Sequence, residues 1–390
     1  ARVLRGLVVI THQIHRPIDL WAIARELEGE RVALLDNPTA RSRLGCMSYL
    51  GLFPAAELRI PNGADPEAAL TRLAQFTAGR PTAAAASPFA SGAIGYLSYE
   101  LLHGIEPVVA KAQVPTSPPP AGDLLHFVRY GAVIAVDSAR ATTEIIAADE
   151  RLLAKARSLA TTAPDRAELA NPPRPQGAFG LDQLLASGLT PLTAPADYRE
   201  LVAAAREQIA AGRLFEVCLS QEFRGRSEVD GRELYEQLRR RNPAPMGAYL
   251  RAGELEILCS SPERLVGVTA AGEIETRPIK GTRPRSADPA TDRHLAEALA
   301  ASPKARAENT MIVDLARNDL GRICLTGSVE VPEFCTVESY ASVHHLVSTV
   351  RGQLAPRITP TDVICACFPG GSMTGAPKVE AMKAIAEAER

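Results

Sequence analysis

The sequence has little that would mark a disulfide framework, a membrane span or an export signal. Its 390 residues include seven cysteines, an odd number, and no two of them form a CxxC pair. Scattered cysteines of this kind are typical of a reducing compartment, so we expect a cytoplasmic protein. No uncharged stretch approaches the ~18 apolar residues of a membrane span. No small-residue cleavage site follows the first apolar run, which argues against a signal peptide.

An excess of charge of one sign is also missing. The formal net charge is -2, so no global field favours nucleic acid or an anionic membrane, and we expect neither as a partner. Any site for an anion must therefore be local. What the sequence does have is 46% hydrophobic residues over 390 positions, which is enough to bury the large core of a globular enzyme.

Two proline-rich segments divide the chain. Residues 113–122 read QVPTSPPPAG, and a longer irregular region runs from 161 to 196. Such composition disfavours regular structure. We therefore predict an N-terminal region over 1–160, a linker over 161–196 and a catalytic region over 197–390. Strand and helix patterns are mixed without regular alternation, which favours an α+β fold over a doubly wound one.

The clearest element signals follow the predicted linker. Asp197 is predicted to cap a helix that stops at Gly212. A second helix is predicted over 302–321, with serine as the N-cap and proline at the first helical position. A glycine-containing hairpin is predicted to end at Lys280, and residues 339–354 alternate as a strand.

Glu308 is a candidate ligand or a buried ion-pair partner. Its spacing from Ile312 and Leu315 is that of one helix face, so the carboxylate lies on an apolar stripe. It either pairs with an arginine such as Arg306 or Arg317, or it binds a hard cation such as Mg²⁺, which takes oxygen ligands. The residues alone leave both interpretations open.

The glycine-rich segment PGGSMTGAPK occupies residues 369–378. Its glycine spacing is that of a phosphate loop, but Ala376 and Pro377 stand where that motif needs lysine and a hydroxyl residue, which argues against nucleotide binding. Backbone N–H groups at such a turn, with Pro377 fixing the first helical residue, can still cradle an anion such as a carboxylate. The alternative is a tight turn that needs glycine only for packing.

Lys280 lies within ETRPIKGTRPR, residues 275–285. Its neighbours in the chain are Arg277, Arg283 and Arg285, and nearby positive charge or desolvation lowers the pKa of a lysine. This setting permits a nucleophilic amine without requiring one. Strand alternation limits the effect, because Arg277 is expected to point to the opposite face.

Two further polar features have simple interpretations from the residues alone. Glu263, in SSPER, lies one hairpin upstream of Lys280 and is expected to be a solvent-exposed loop acid. His344 and His345 are adjacent on a predicted strand, so they face opposite sides and at most one serves a given site. A lone strand histidine is more often structural than functional.

Taken in order, five segments resemble the chorismate-utilising family, which includes component I of anthranilate synthase, component I of aminodeoxychorismate synthase, and the isochorismate and salicylate synthases. The segments are SSPERL, ETRPIKGTRPR, AENTMIVDLARNDLGRI, HHLVSTVRGQL and FPGGSMTGAPK. The match covers most of 197–390, and ALLDN and GAIGYLSYE match more loosely. The resemblance implies a four-layer α/β/β/α arrangement in which two large antiparallel sheets pack together and chorismate binds in the cleft, with the N-terminal region contributing to the sheets.

The resemblance also implies a reaction. The lysine of PIKGT is typical of the aminodeoxychorismate synthases, whereas anthranilate synthases resemble PIAGT. Lys280 is then expected to attack C2 of chorismate while Glu263, as general acid, protonates the departing C4 hydroxyl. Ammonia from a glutamine amidotransferase subunit would add at C4 and expel the lysine, giving 4-amino-4-deoxychorismate for p-aminobenzoate and folate synthesis. Glu216 stands where water-adding members carry a lysine base, which argues against water addition.

Further site residues are implied by matching positions. Glu308 matches a ligand of the Mg²⁺ ion that holds a substrate carboxylate in the family. The expected substrate-binding residues are Gly281, Thr282, His345, Thr374, Gly375 and Ala376. No amidotransferase nucleophile motif occurs in the chain, so the ammonia source is expected to be a separate subunit. The alternatives are component I of anthranilate synthase and a non-catalytic, truncated relative.

Three departures from the family pattern are expected to have consequences. Ala305 stands one turn before Glu308, where relatives often carry an acid that helps to order the metal, so metal affinity is expected to be altered. NPAPMG, residues 242–247, differs from the segment that lines the tryptophan feedback site of anthranilate synthases, so tryptophan inhibition is not expected. Relatives continue for several dozen residues beyond the position of Arg390, with a further arginine, a glycine-rich loop and a second metal glutamate. An incomplete site is therefore expected, either in a truncated sequence or in an inactive chain.

Overall fold

The structure, a computed structural model, describes residues 9–27, 31–37, 45–78, 92–110, 122–166, 188–227 and 229–389. The predicted loop at 113–122 lies outside these residues except for its last position, and so does most of the predicted linker at 161–196. Among the helices of the described ranges, none is long and apolar enough to cross a membrane.

The N-terminal half of the chain supplies six strands of a large antiparallel sheet. They are β1 (Ile10–Ile14), β2 (Ala33–Asp36), β3 (Met47–Pro61), β4 (Ala93–Leu97), β5 (Asp123–Asp137) and β6 (Thr142–Ala147). Strands β3 and β5 pair along most of their length. Residues 131–137 of β5 form an unbroken buried run, which is typical of a central strand covered on both faces.

The later part of the chain completes this sheet and adds a second one. Its strands are β7 (Thr190–Pro191), β8 (Glu216–Val217), β9 (Phe223–Arg224), β10 (Met246–Ala252), β11 (Leu255–Ser261), β12 (Gly267–Val268), β13 (Glu273–Thr276), β14 (Ile279–Pro284), β15 (Glu330–Ser339), β16 (Val343–Gln353) and β17 (Gly375–Ala376). The hairpin β10–β11, which turns at Gly253, pairs with β2 and gives the order β1-β6-β5-β3-β2-β10-β11, with β4 beside β5.

The second large sheet carries the segments that the sequence singled out. It has the order β12-β13-β16-β14, with β15 beside β16, and all of its pairs are antiparallel. The predicted hairpin is β12–β13, and the strand predicted over 339–354 is β16. The mixed helix and sheet composition, with two large antiparallel sheets, confirms the predicted α+β class.

Helices pack on both sheets. Those in the described ranges are α1 (Leu20–Ala24), α2 (Pro66–Thr77), α3 (Leu102–Ile105), α4 (Pro107–Ala110), α5 (Glu150–Thr162), α6 (Pro195–Ala210), α7 (Gly231–Arg241), α8 (Pro289–Ala301), α9 (Pro303–Gly321), α10 (Pro360–Cys367), α11 (Gly371–Thr374) and α12 (Lys378–Ala388). Helices α1, α5 and α7 share one core with the larger sheet. Helices α9 and α10 share another with the smaller sheet, around Ile274 and Val350. Helix α10 also contacts the core of α2 through Ile364, which joins the two parts of the molecule.

Two of the predicted helix starts needed correction. Asp197 does not cap α6, because the helix already begins at Pro195 and Asp197 lies in its first turn, where a carboxylate still complements the helix dipole. Pro377 is the N-cap of α12, with extended backbone at ψ 141, so Lys378 is the first helical residue. The start of α9 is as predicted, with Ser302 Oγ accepting a hydrogen bond from the N–H of Ala305 at 3.3 Å.

Candidate active site

Lys280 lies in the smaller sheet, in strand β14. The prediction that it ends the hairpin was wrong, because β13 ends at Thr276 and Lys280 is the second residue of the next strand. Pro278, which stands between the two strands, cannot donate a hydrogen bond to a strand ladder. The pairing of β14 with β16 also shifts register between Ile279 and Thr282. Lys280 lies at this irregularity.

Gly281 is required at this irregularity. Its φ is +97, a conformation that L side chains rarely adopt, and a Cβ here would lie 2.8 Å from the Cβ of Ala305 on α9. Ala305 is itself buried in a small core with Leu299 and Leu346. Ala305, the residue that departs from the family pattern, therefore packs against the backbone of Gly281, which follows Lys280.

The arginines near Lys280 in the chain are engaged elsewhere. The buried guanidinium of Arg277 donates to Thr349 at 3.0 Å and also binds the carboxylate of Glu338. Arg285 binds Asp292 at 2.8 Å. The expected crowding of the amine by positive charge is therefore not observed for these two side chains.

The charged neighbour of Lys280 is a carboxylate. Nζ of Lys280 lies 3.0 Å from Oε1 of Glu216, and the side chains of Lys280 and Glu216 are 14% and 17% exposed. Glu216 belongs to β8, which pairs with β17 so that Ala376 faces Glu216. The glycine-rich segment and the carboxylate that meets Lys280 are thus held together by backbone hydrogen bonds.

Glu263 follows strand β11 and is not the solvent-exposed loop acid expected from its motif alone. It is partly buried, and its Oε1 accepts a hydrogen bond from the Ser372 hydroxyl. Burial raises the pKa of Glu263, although the Ser372 hydrogen bond and the charge of Lys280 oppose the rise. A carboxyl with a raised pKa keeps its proton closer to neutral pH, as a general acid requires.

Cys218 lies among these charged groups and was missed in the sequence. Burial raises the pKa of the Cys218 thiol, the charge of Lys280 lowers it, and the charges of Glu216, Glu263 and Glu308 raise it further. The Cys218 thiol is therefore close enough to be influenced by the charges of all four residues, the lysine and the three glutamates. The available signal was its spacing, because Glu216 and Cys218 are two residues apart on an extended segment and share a face.

Glu308 is placed on α9, where its side chain is 32% exposed and lies 3.7 Å from the amine of Lys304. The prediction of a partner in Arg306 or Arg317 was wrong. Arg317 binds Asp314 at 3.1 Å, and the guanidinium of Arg306 lies over an aromatic ring. The apolar stripe does not bury the Glu308 carboxylate completely. Water and the amine of Lys304, one helical turn earlier, can therefore offset its charge.

The magnesium ligand predicted at Glu308 stays a prediction. No cluster of three or more histidine, cysteine, aspartate or glutamate side chains suited to a metal occurs among the described residues, and Ala305 supplies no oxygen one turn before Glu308. This ion often binds through one or two protein carboxylates, with water and substrate oxygens completing the shell. A single carboxylate is compatible with a metal site that the substrate completes.

The two histidines of β16 face opposite sides, as predicted. Nδ1 of His345 lies 2.9 Å from the Thr282 hydroxyl, and burial lowers the pKa of His345. His344 instead contacts Asp292 at 3.0 Å on the other side. His345 is therefore placed beside the backbone of Gly281 and Thr282, whereas His344 ties helix α8 to the sheet.

The glycine-rich segment forms the short helix α11 followed by β17. Thr374 is buried and donates to the carbonyl of Gly370 at 3.1 Å. The carbonyl of Ala376 accepts a hydrogen bond from the N–H of Phe215 at 2.8 Å. A cavity beside this segment is lined by Glu263 and Ser372 together with residues of α9. The predicted cradle for a carboxylate stays a prediction.

Comparisons with known proteins agree on one family. A family model described as chorismate binding enzyme matches residues 30–390. Aminodeoxychorismate synthase of Streptomyces pristinaespiralis is 46% identical over 261 residues, which are 66% of this chain and 35% of that protein. Aminodeoxychorismate synthase component 1 of Salmonella typhimurium is 49% identical over 193 residues, which are 50% of this chain and 42% of that protein. The chain spans less than half the length of these two relatives.

The architecture also has a counterpart among solved structures. The crystal structure of anthranilate synthase component I from Streptococcus pneumoniae is similar with a TM-score of 0.71 and 29% sequence identity. The similarity covers 89% of this chain and 78% of that chain. The α+β arrangement with large antiparallel sheets is therefore shared with a structure known in detail.

Proposed function

The chain belongs to the family of chorismate binding enzymes, and from this premise we propose that it acts as component I of an aminodeoxychorismate synthase. The reaction converts chorismate and ammonia to 4-amino-4-deoxychorismate, for p-aminobenzoate and folate synthesis. The observation that carries the proposal is the position of the Lys280 amine, which lies 3.0 Å from the Glu216 carboxylate and close enough to Glu263 for its charge to lower the pKa of that residue. Two relatives whose names state this activity are 46% and 49% identical, which supports the same choice.

The first half of the proposed reaction uses Lys280 and Glu263. The lone pair of the amine attacks C2 of chorismate, the ring double bonds shift, and the bond from C4 to its hydroxyl oxygen breaks. Glu263 gives its proton to the departing oxygen, so water leaves and the carboxylate of Glu263 remains. The raised pKa of Glu263 supports this role, because the acid must hold a proton before the reaction begins.

The second half reverses the attachment. Ammonia attacks C4, the double bonds shift back, and the bond from C2 to the lysine nitrogen breaks with its electrons on nitrogen. The ammonium group now on C4 gives a proton to the carboxylate of Glu263, which restores the acid. The products are 4-amino-4-deoxychorismate and water, and Lys280 is again free.

The remaining proposed roles concern binding. Gly281 and Thr282 present backbone beside the nucleophile, and His345 is hydrogen-bonded to Thr282 in a buried position. Thr374, Gly375 and Ala376 are all buried, and we propose that they line another side of the substrate. Oriented polar groups in a site that excludes water favour a small dianion over solvent ions.

Mg²⁺ is proposed as the cofactor, with Glu308 as one protein ligand. When bound, the ion would neutralise and orient a substrate carboxylate. The proposed source of ammonia is a glutamine amidotransferase subunit, because the relatives named component 1 carry a name that implies a second component.

The test is to identify the product made by the full-length natural protein from chorismate and ammonium chloride. We expect 4-amino-4-deoxychorismate, detected by its mass and by p-aminobenzoate formed after adding a lyase. Anthranilate formed without a lyase would favour the second candidate, an anthranilate synthase component I, whose solved structure is similar over most of both chains. In the same assay, withholding Mg²⁺ and testing Glu308→Gln are each expected to weaken chorismate use, and full activity without the ion would contradict the cofactor.

Replacement of the nucleophile gives the sharper result. We expect Lys280→Ala to lose aminodeoxychorismate formation by ~10³-fold or more, with folding preserved, because the side chain at position 280 then has no amine to form the bond to C2. Lys155→Ala, which removes an exposed lysine of α5, serves as the control and is expected to be fully active. Undiminished activity in Lys280→Ala would remove the covalent mechanism.

A further inference from the structure

The ion pair inside the proposed site has no role in the proton transfers assigned to Glu263. Lys280 Nζ lies 3.0 Å from Oε1 of Glu216, and both side chains are largely buried. This oxygen is buried as an atom and accepts no hydrogen bond within the described part of the chain. A buried carboxylate needs a partner that offsets its charge. The amine of Lys280 supplies that charge.

The pair conflicts with the use of Lys280 as a nucleophile. A carboxylate partner is suited to the ammonium form of a lysine, which has no free lone pair, whereas attack on carbon requires the neutral amine. Some group must therefore accept a proton from Lys280 before the bond to C2 forms. Nζ and Oε1 are 3.0 Å apart, which is hydrogen-bond range, so rotation of the amine would align a proton with Oε1 of Glu216.

The backbone around Glu216 supports a group that must be accurately placed. Strand β8 is fixed to the glycine-rich segment by three contacts: the β8–β17 pairing itself, the N–H of Phe215 donating to Ala376 at 2.8 Å, and the N–H of Cys218 donating to Thr374 at 2.9 Å. Two of these contacts flank Glu216 directly. The backbone that carries Glu216 is consequently fixed to the glycine-rich segment, which is proposed to contact the substrate.

Resting on the function proposed above, we propose that Glu216 is the catalytic base for Lys280. It takes a proton from the ammonium group once chorismate has filled the site, and it returns the proton when the lysine leaves C2. Substrate binding expels water, and in a drier site a neutral amine beside a neutral carboxylic acid costs less than two separated charges.

The proton and charge count closes over one turnover. Before attack, Lys280 is the neutral amine and Glu216 and Glu263 are both protonated acids. Attack leaves a positive nitrogen on C2 and a carboxylate at Glu263, so the total charge is unchanged. After ammonia has displaced the lysine, Glu263 takes its proton from the new amino group, and Glu216 returns its proton to Lys280. No oxidant or external co-reactant is needed beyond chorismate and ammonia.

The other titratable groups around the pair do not compete for this role. Glu263, which follows β11, is bound by Ser372 and has a raised pKa caused by burial, which suits the acid that serves oxygen. Burial also raises the pKa of Cys218, so this residue remains a neutral thiol. Glu308, on α9, is paired with Lys304 and is more exposed. In this proposal, Glu216 exchanges a proton with the nitrogen of Lys280, and Glu263 gives its proton to the departing oxygen of the substrate.

The experiment measures formation of the lysine adduct in a single turnover without ammonia. Wild type, Glu216→Gln and Glu216→Asp in the full-length protein are mixed with chorismate between about pH 6 and pH 9. Intact mass reports the adduct, and peptide mapping locates it on Lys280. Equilibrium dialysis gives chorismate affinity, and circular dichroism checks folding.

We expect Glu216→Gln to bind chorismate normally but to form the adduct about 10²- to 10³-fold more slowly near neutral pH. Its rate should rise with pH by about tenfold per unit, because the proton must now leave to water. Glu216→Asp keeps a carboxylate and should lose less than about tenfold. Glu330→Gln, which removes an exposed pair with Arg351, is the control and should match wild type.

Each contrary result overturns a distinct statement. Adduct formation by Glu216→Gln at the wild-type rate, or with the wild-type pH profile, overturns the role of Glu216 as the base and leaves the proposed function intact. A defect explained entirely by weaker chorismate binding also overturns the base, since Glu216 would then be a binding residue. Absence of an adduct in wild type overturns the proposed covalent function and the base together.

Discussion

Residues close to Lys280 in the chain are not its partners in space. The sequence surrounds it with arginines, but the guanidinium of Arg277 is bound to Thr349 and Glu338. Glu216, 64 positions away in the sequence numbering, is the charged group that meets the amine. In the proposed mechanism, the Lys280 amine therefore exchanges its proton with a carboxylate, and repulsion by neighbouring cations is not needed.

Replacement of Ser372 tests the proposed role of Glu263 as the general acid. Its hydroxyl donates to Glu263 and holds the pKa of this carboxyl below the value that burial alone would produce. Glu263 must be protonated to act, so activity should fall as the pH rises through its pKa. We expect Ser372→Ala to raise that pKa and to move the alkaline limb of the pH profile to higher pH.

The measurement is the rate of 4-amino-4-deoxychorismate formation against pH, with free ammonia held constant. Ser328→Ala, which removes hydrogen bonds to Leu325 and Gln353 distant in the sequence from Glu263, is the control and should leave the limb in place. A limb that moves to lower pH in Ser372→Ala would contradict the assignment of Glu263 as the acid.

At the scale of elements, the short pair β8–β17 connects the glycine-rich segment to the site. Gly375 has φ +137, and a Cβ at this position would lie 2.3 Å from the backbone oxygen of Glu216. We expect Gly375→Ala to lower the free energy of unfolding by about 2 kcal/mol or more. Adduct formation should also fall by at least about tenfold, because the strand that carries Glu216 must move.

A matched glycine separates the two causes of this loss. Gly253 also has positive φ, at +66, but no atom lies within 4 Å of a Cβ at this position. Gly253→Ala should therefore cost only about 1 kcal/mol, the cost of the backbone conformation itself, and should leave activity unchanged. Urea unfolding and the adduct assay measure both variants. Equal activity loss in the two would show that the clash with Glu216 is not the cause.

At the scale of the whole molecule, a buried ion cluster joins distant parts of the chain. Arg239 on α7 donates through Nε to Asp36 of β2 at 2.9 Å and through Nη2 to Asp19 at 3.2 Å. Arg239 and Asp36 are 5% and 3% exposed. The cluster lies where the hairpin β10–β11 joins the strands of the N-terminal half, so it ties both halves into one sheet.

Removal of Arg239 should leave the charge of the buried Asp36 poorly compensated, because the contact of Asp36 with Arg166 is longer, at 3.5 Å. We expect Arg239→Met to lower the free energy of unfolding by about 3–5 kcal/mol, measured by urea unfolding at neutral pH. Arg240→Met, which changes the next residue of the same helix and removes a pair with Glu236 on a side chain that is 55% exposed, should change it by less than about 1 kcal/mol. Similar small effects in both variants would mean that the cluster adds little to the stability of the sheet.

The sequence by itself determined the elements whose signals are local. Ser302 and Pro303 predicted the start of α9, since a cap and a first-turn proline act within four residues of the helix end. Alternation predicted β16 and the opposite placement of His344 and His345. The order of five motifs predicted the family, because each motif keeps its residues at fixed short spacings. The α+β class followed from the same mixture of local patterns.

Only the tertiary structure decided which of these pieces meet. Ser372 reaches Glu263 across 109 positions of the chain, and Arg239 reaches Asp36 across 203. The pairing of Lys280 with Glu216 likewise depends on how β8 is held against β17 and beside β14. Such contacts form between elements that pack from distant parts of the chain, so no short window of sequence contains both partners. The proposed nucleophile could thus be named from its motif, whereas the group proposed to take its proton could be named only from the fold.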